Sequence, residues 1–198
     1  MRRFAIALLA LTLAVPAYAQ DDPHAACAAP PSYVPPDLLE RPVGLRAGVG
    51  NSHEAVTTTS KDAQAFYDQG LNYLESYVWI EASRSFHQAL RSDPNLAMAY
   101  LGLSRVHSGL EDERGAQEYF EKAKALASNA SDRERTRIAI REAQLAAMEN
   151  IEDMATLAAY RKVVDDALAA DLDDPALWLL AGMAQEPTAA GRGQRGSA

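Results

Sequence analysis

From residue 60 onward, apolar positions recur at helical spacing and are interrupted by short polar breaks. Ala82, Phe86, Ala89 and Leu90 form one such stripe, and Leu157, Tyr160, Val164 and Leu168 another. Steps of three and four residues place these side chains on one face of a half-buried helix. Stripes and breaks together predict helices over 61–77, 79–91, 96–108, 112–127, 131–150 and 152–170, with a seventh starting at Pro175. The breaks supply the ends. Ser60 is placed to cap the first helix, and Asp174 to cap the seventh ahead of Pro175. Asp93, Pro94 and Asn95 turn the chain, Gly109 separates the third helix from the fourth, and Ser131 to Glu134 reads as a capping box. Trp178, Leu179 and Met183 give the seventh helix apolar positions with no further helix to meet them.

The same order of residue types appears twice at an offset of 34. Phe66, Gly70, Tyr73, Ala82, Phe86, Ala89 and Pro94 make the first copy. Tyr100, Ser104, His107, Ala116, Phe120, Ala123 and Ser128 are their counterparts, so the second copy departs at Ser104, His107 and Ser128. Two short helices cannot bury an apolar face alone, so each pair must lean on the next. Gly70 and Ala82 are small enough for two helices to approach closely, while Phe66, Tyr73 and Phe86 fill the wedge between them.

This pattern resembles the tetratricopeptide repeat. The resemblance covers repeats at 63–96 and 97–130, a degenerate one at 131–174, and the start of a further helix at 175–186. It implies an all-α, right-handed solenoid of antiparallel helix hairpins whose first helices line a concave groove. The groove positions fall on Gln64, Tyr67, Leu71, Leu74, Met98, Leu101, Arg105 and Ser108. That surface is expected to be mostly apolar with one cation, suited to an amphipathic helix or an extended apolar peptide. Some family members clamp a C-terminal carboxylate with an Asn in the groove. Leu71 and Arg105 occupy that position here, which does not support such a clamp.

The segment before the helices is different in kind. Residues 20–59 hold six of the ten prolines and one aromatic residue, Tyr33. Little apolar surface is available to order such a stretch, so it reads as a Pro-rich linker. A strap across the helices, through Leu38, Leu39, Val43 and Leu45, is the second reading, and a proline-rich ligand for a partner the third. Residues 1–19 have the form of a secretory signal, with Arg2 and Arg3, an apolar run, and Ala17-Tyr18-Ala19 before Gln20. Residues 187–198 lack core-forming side chains and read as a flexible tail.

Export changes the reading of charge and thiol. Loss of Arg2 and Arg3 takes 19 basic residues to 17 against 27 acidic ones, a net charge of −10. Such a chain repels nucleic acid and anionic lipid. At 198 residues it makes one domain with appendages. Cys27 has no second cysteine to pair with, which leaves a free thiol or an intermolecular bridge.

Catalytic and metal patterns are not found. His53-Glu54 is not followed by the second His of a zinc protease motif. His87 and His107 belong to different helices and read as helix-surface residues without a third ligand. Asp171, Asp173 and Asp174 lack the spacing of a calcium loop and read as a solvated cap. Arg133, Arg135, Arg137 and Arg141, interleaved with Glu134 and Glu142, read as a solvated helix face. The sequence thus points to an exported, periplasmic or secreted, non-enzymatic scaffold for a protein or peptide, without cofactor or metal. Two other readings stand beside it: an accessory piece of a larger envelope assembly or enzyme, and a metal or redox protein using Cys27 and the histidines.

Overall fold

The computed structural model describes residues 34–189, all helix and connecting segments with no strand among them. The expected leader, Cys27 and the tail from residue 190 onward lie outside the described residues. Among the described residues, no helix is long and apolar enough to cross a membrane.

A single turn, α1 (Pro36–Leu39), precedes the predicted helices. Those are α2 (Lys61–Glu75), α3 (Trp79–Ser92), α4 (Ala97–Gly109), α5 (Glu113–Ala125), α6 (Asp132–Glu149), α7 (Met154–Ala170) and α8 (Pro175–Ala184). Five of these seven starts, all but those of α3 and α4, are fixed by side chains that accept from free backbone N–H groups. Ser60 Oγ accepts from Ala63, Asp112 from Gly115, Asp153 from Ala155 and Asp174 from Ala176. At α6 the capping box is complete: Ser131 Oγ accepts from the Glu134 N–H, and the Glu134 carboxylate accepts from the Ser131 N–H at 2.7 Å. Two ends use the left-handed region instead, at Tyr77 (φ 60°) and Glu111 (φ 59°). The break after α4 therefore falls at Glu111, not at Gly109. Gly109 is helical, and a Cβ there would meet the Trp79 ring at 2.7 Å.

Neighbours in sequence are neighbours in space. α2 packs on α3, α4 on α5, α6 on α7 and α7 on α8, while α2, α4 and α6 also touch in succession. The core has two centres. The larger one surrounds Phe86, which is fully buried among α2, α3 and α4. A Cβ on Gly70 would stand 2.6 Å from the Phe86 ring, and one on Gly102 2.5 Å from it. These two glycines make room for the ring, and at Gly70 the side chain so admitted comes from α3, the partner helix of the same hairpin. The second centre, around Tyr160, Val164 and Leu157, joins α6, α7 and α8. Ala189 is buried against it and its carbonyl accepts from Gln144, so packing continues past Pro187.

Residues 41–58 are not a free linker. Arg84 donates to the carbonyls of Arg41 and Pro42. The Arg46 N–H donates to Gln69, the Ser52 N–H to Asn72 and the Val56 N–H to Gln64. Amide side chains of α2 thus serve as backbone surrogates for an extended segment, as for a strand laid along a sheet edge. Of the side chains the strap reading named, Leu39 is buried, Leu38 and Val43 are half-buried and Leu45 is exposed, and side chain–backbone hydrogen bonds add to this packing.

Candidate functional site

A cavity of about 390 Å³ opens between α2, α4, α6 and α8 beneath the strap. Its floor is apolar because each helix turns its stripe inward there. α2 contributes Tyr67, Leu71 and Leu74, and α4 contributes Met98 and Leu101. Ile140 of α6 and Leu179 and Leu180 of α8 complete the wall. The strap supplies one edge through Ser52, His53 and Glu54.

Six of the eight groove positions expected from the sequence line this cavity: Tyr67, Leu71, Leu74, Met98, Leu101 and Arg105. Gln64 does not line it. Its amide lies under the strap, donating to the Glu54 carbonyl at 2.9 Å and accepting from the Val56 N–H at 3.1 Å. Ser108 does not line it either, and its Oγ accepts from Arg141 at 2.6 Å.

The expected single cation is in fact four. Arg105, Arg133, Arg137 and Arg141 all line the cavity. Arg137 and Arg141 are 6% and 4% exposed, which corrects the reading of this α6 face as solvated. A run that alternates Arg with Glu looks like a water-facing helix. The missed signal was the register: positions 133, 137 and 141 are four apart, so one helix face presents a column of three guanidinium groups.

Buried charge must be paired or bonded, and here the four cations differ. Arg133 and Arg137 both donate to Asp174 Oδ2, the former at 2.9 Å, and the Arg137 Nε donates to Glu54 Oε1 at 3.3 Å. Asp174 is therefore more than the solvated cap expected of it: it is 2% exposed. Burial raises its carboxyl, but the hydrogen bonds from Arg133 and Arg137 outweigh that and hold it below the ordinary range. Glu54 also accepts from the Tyr67 hydroxyl at 3.0 Å, and burial together with this carboxylate pushes the Tyr67 hydroxyl well up.

Arg141 has only neutral partners. Its Nε donates to Ser104 Oγ at 3.0 Å, and Nη2 donates to the Ser104 carbonyl at 2.8 Å. Nη1 donates to Gln144 at 2.7 Å. Ser104 stands where the first repeat has Gly70, so this departure from the repeat is what receives the arginine. Burial lowers Arg141 to about 9, with the charge of Arg105 adding to the effect. Arg105 has neither a hydrogen bond nor an ion pair with any described residue, and burial lowers it as well.

His87 and His107 are elsewhere. Both face Tyr119, at ring centroid distances of 5.8 and 4.8 Å. His107 is buried and its Nδ1 lies 2.7 Å from Asp112, so it is not a helix-surface residue. It has replaced the repeat's Tyr in a packed position. No cluster of three metal-ligating side chains occurs among the described residues.

Compared with protein-family models, curated proteins and solved structures, the chain has no match. What defines it is its own architecture: an all-α protein of successively packed helices that encloses a cavity with an apolar floor and arginine walls.

Proposed function

We propose that the protein is a non-enzymatic scaffold of the tetratricopeptide kind, which receives a peptide segment of a partner protein in the cavity between α2, α4, α6 and α8. The helix pairs are read as hairpins of a right-handed solenoid, in keeping with the 34-residue periodicity and the succession of α2, α4 and α6. The observation that carries the function is the cavity's lining. Leu71, Leu74, Leu101 and Leu179 offer apolar surface to a side chain, and Arg105 adds a polar group that fixes orientation. Residues 1–19, with the form of a secretory leader, support a site of action outside the cytoplasm.

Selection from a random dodecapeptide display library tests the reading. Leu179 is 50% exposed, so Leu179→Glu alters the wall without opening the core. Peptides enriched on the parent should bind Leu179→Glu at least tenfold more weakly and should bind the remote variant Glu118→Lys unchanged. Failure to enrich any peptide, or equal binding to all three proteins, would remove the cavity from the function.

A second reading, an accessory piece of a larger assembly, draws on α8, where Trp178 and Met183 are exposed at 56% and 39%. The mass and composition of the native complex test it.

A further inference from the structure

We infer that the outer face of α8 is a self-association surface, on which a second copy of this chain lays its own α8 antiparallel across a two-fold axis. This goes beyond the peptide-binding reading and gives that face a definite occupant.

The face is apolar where the outer side of a terminal helix is expected to be polar. Leu172, Trp178, Leu179 and Met183 are four of the nine large apolar side chains exposed among the described residues, and they fall within one short stretch. Leu177 and Ala184 turn inward, onto the core shared with α6 and α7. Trp178 and Gly182 are four apart, as are Leu179 and Met183, and all four are exposed on the opposite face. The Trp178 Nε1 donates to the Leu172 carbonyl at 2.8 Å, so the indole has its one donor satisfied and offers a partner apolar contact alone. Among the described α-helices only α8 has no ionisable side chain. Two copies of a chain of net charge −8 therefore meet here without like charges at the contact.

What singles out a second copy is self-complementarity. An axis between Leu180 and Ala181 sets Leu179 of each copy over Gly182 of the other, and Trp178 of each against Met183. Gly182 supplies the space: a Cβ built there meets nothing within 4 Å, and its absence lets an opposing chain approach the backbone. A thioether against an indole is itself a favourable contact. Charge follows the same symmetry. Asp171 and Asp173 are exposed just before α8, while residues 190–198, outside the described ones, add Arg192 and Arg195 and no acid. Antiparallel pairing brings Ala189, from which that basic segment departs, to the end where the other copy has Asp171 and Asp173. A helix of ten residues is about 15 Å long. That is too short to bury the roughly 800 Å² per partner of a stable interface, so the dimer is weak and in exchange with single chains.

Sedimentation velocity of the chain over a dilution series tests this. The parent should pass from one copy to two as concentration rises and stop there, because a two-fold contact closes on itself. Gly182→Ala is the discriminating variant. Its methyl enters open space in the single chain and favours the helix, so the melting temperature of dilute protein should hold or rise. Association should nevertheless weaken at least about tenfold, because Leu179 of the other copy loses its seat. Met183 does not line the cavity, so Met183→Glu should abolish association and leave the binding of display-selected peptides unchanged. Arg192→Glu with Arg195→Glu should weaken the dimer, and adding Asp171→Arg with Asp173→Arg should restore it. A chain that stays single at every concentration would overturn the inference and leave the face to a different protein. Growth beyond two copies, or a dimer indifferent to Gly182→Ala and Met183→Glu, would overturn it equally.

Discussion

The Thr57 N–H donates to the Glu134 carboxylate at 2.8 Å, joining two residues that are 77 positions apart. The same carboxylate closes the capping box of α6 with Ser131 and also accepts from the Thr57 hydroxyl. One side chain thus starts a helix and ties down the strap.

Glu134→Gln puts an amide N–H₂ where donors converge, so one bond at least becomes a clash of donors. The cost is expected to be about 1–3 kcal/mol in urea unfolding, the range for a buried group left unsatisfied. Tryptic cleavage after Arg46 should accelerate in parallel. The pH dependence has a definite sign. Burial raises the Glu134 carboxyl, but bonds from Thr57 and Ser131 prevail and leave it below its ordinary value of 4.5. A depressed folded-state pKa stabilises above the unfolded value and is lost as pH falls below about 4.5. The parent should therefore lose stability in that window, and Glu134→Gln should lose less.

His87 titrates in a different window. Burial, with Arg91, His107 and Lys122 nearby, lowers it from 6.5 to about 4. The folded protein keeps this ring neutral while the unfolded chain protonates it, so stability falls as pH drops from 6.5 to about 4. His87→Gln should flatten the stability profile over that interval. Melting temperatures read at pH 7, 5.5 and 4.5 decide it, and an unchanged slope would show that His87 is not responsible.

Gly102→Ala should destabilise by about 1–3 kcal/mol, as overpacked cores do, because the new methyl would stand 2.5 Å from the Phe86 ring. A smaller side chain at 86 should relieve the clash. The double variant Gly102→Ala with Phe86→Leu is therefore expected to lose less than the sum of the two single losses, measured as a double-mutant cycle.

Glu111 is exposed in the left-handed region at φ 59°. Glu111→Gly should raise stability by up to about 1 kcal/mol, since a side chain pays for that conformation and glycine does not. Tyr77 has nearly the same φ, yet Tyr77→Gly should bring no gain. Its ring meets Trp79 edge-on at 5.3 Å, and that contact would be lost. Thermal melts of the two variants separate these effects.

Helix ends were legible because their chemistry is local. Ser60, Ser131 with Glu134, and Asp174 with Pro175 each act within a few residues of where they stand. The cavity's apolar floor was anticipated by the repeat resemblance, which put Leu71, Leu74 and Leu101 at groove positions. The strap was not, because Gln64, Gln69 and Asn72 look like ordinary polar helix residues until an extended segment lies along them. Arg137 and Arg141 were misjudged on similar grounds. Their burial depends on Asp174 and Ser104, each 37 residues distant.

The clasp between Thr57 and Glu134 also bears on cooperativity. Helices that touch only their sequence neighbours can melt piecemeal, each pair opening at its own free energy. A segment that bonds α2 along its length and then α6 makes the opening of one register as the loosening of the other. The early and middle parts of the chain are thereby obliged to unfold together, a coupling that adds to the packing of Ile138 of α6 in the core shared with α2.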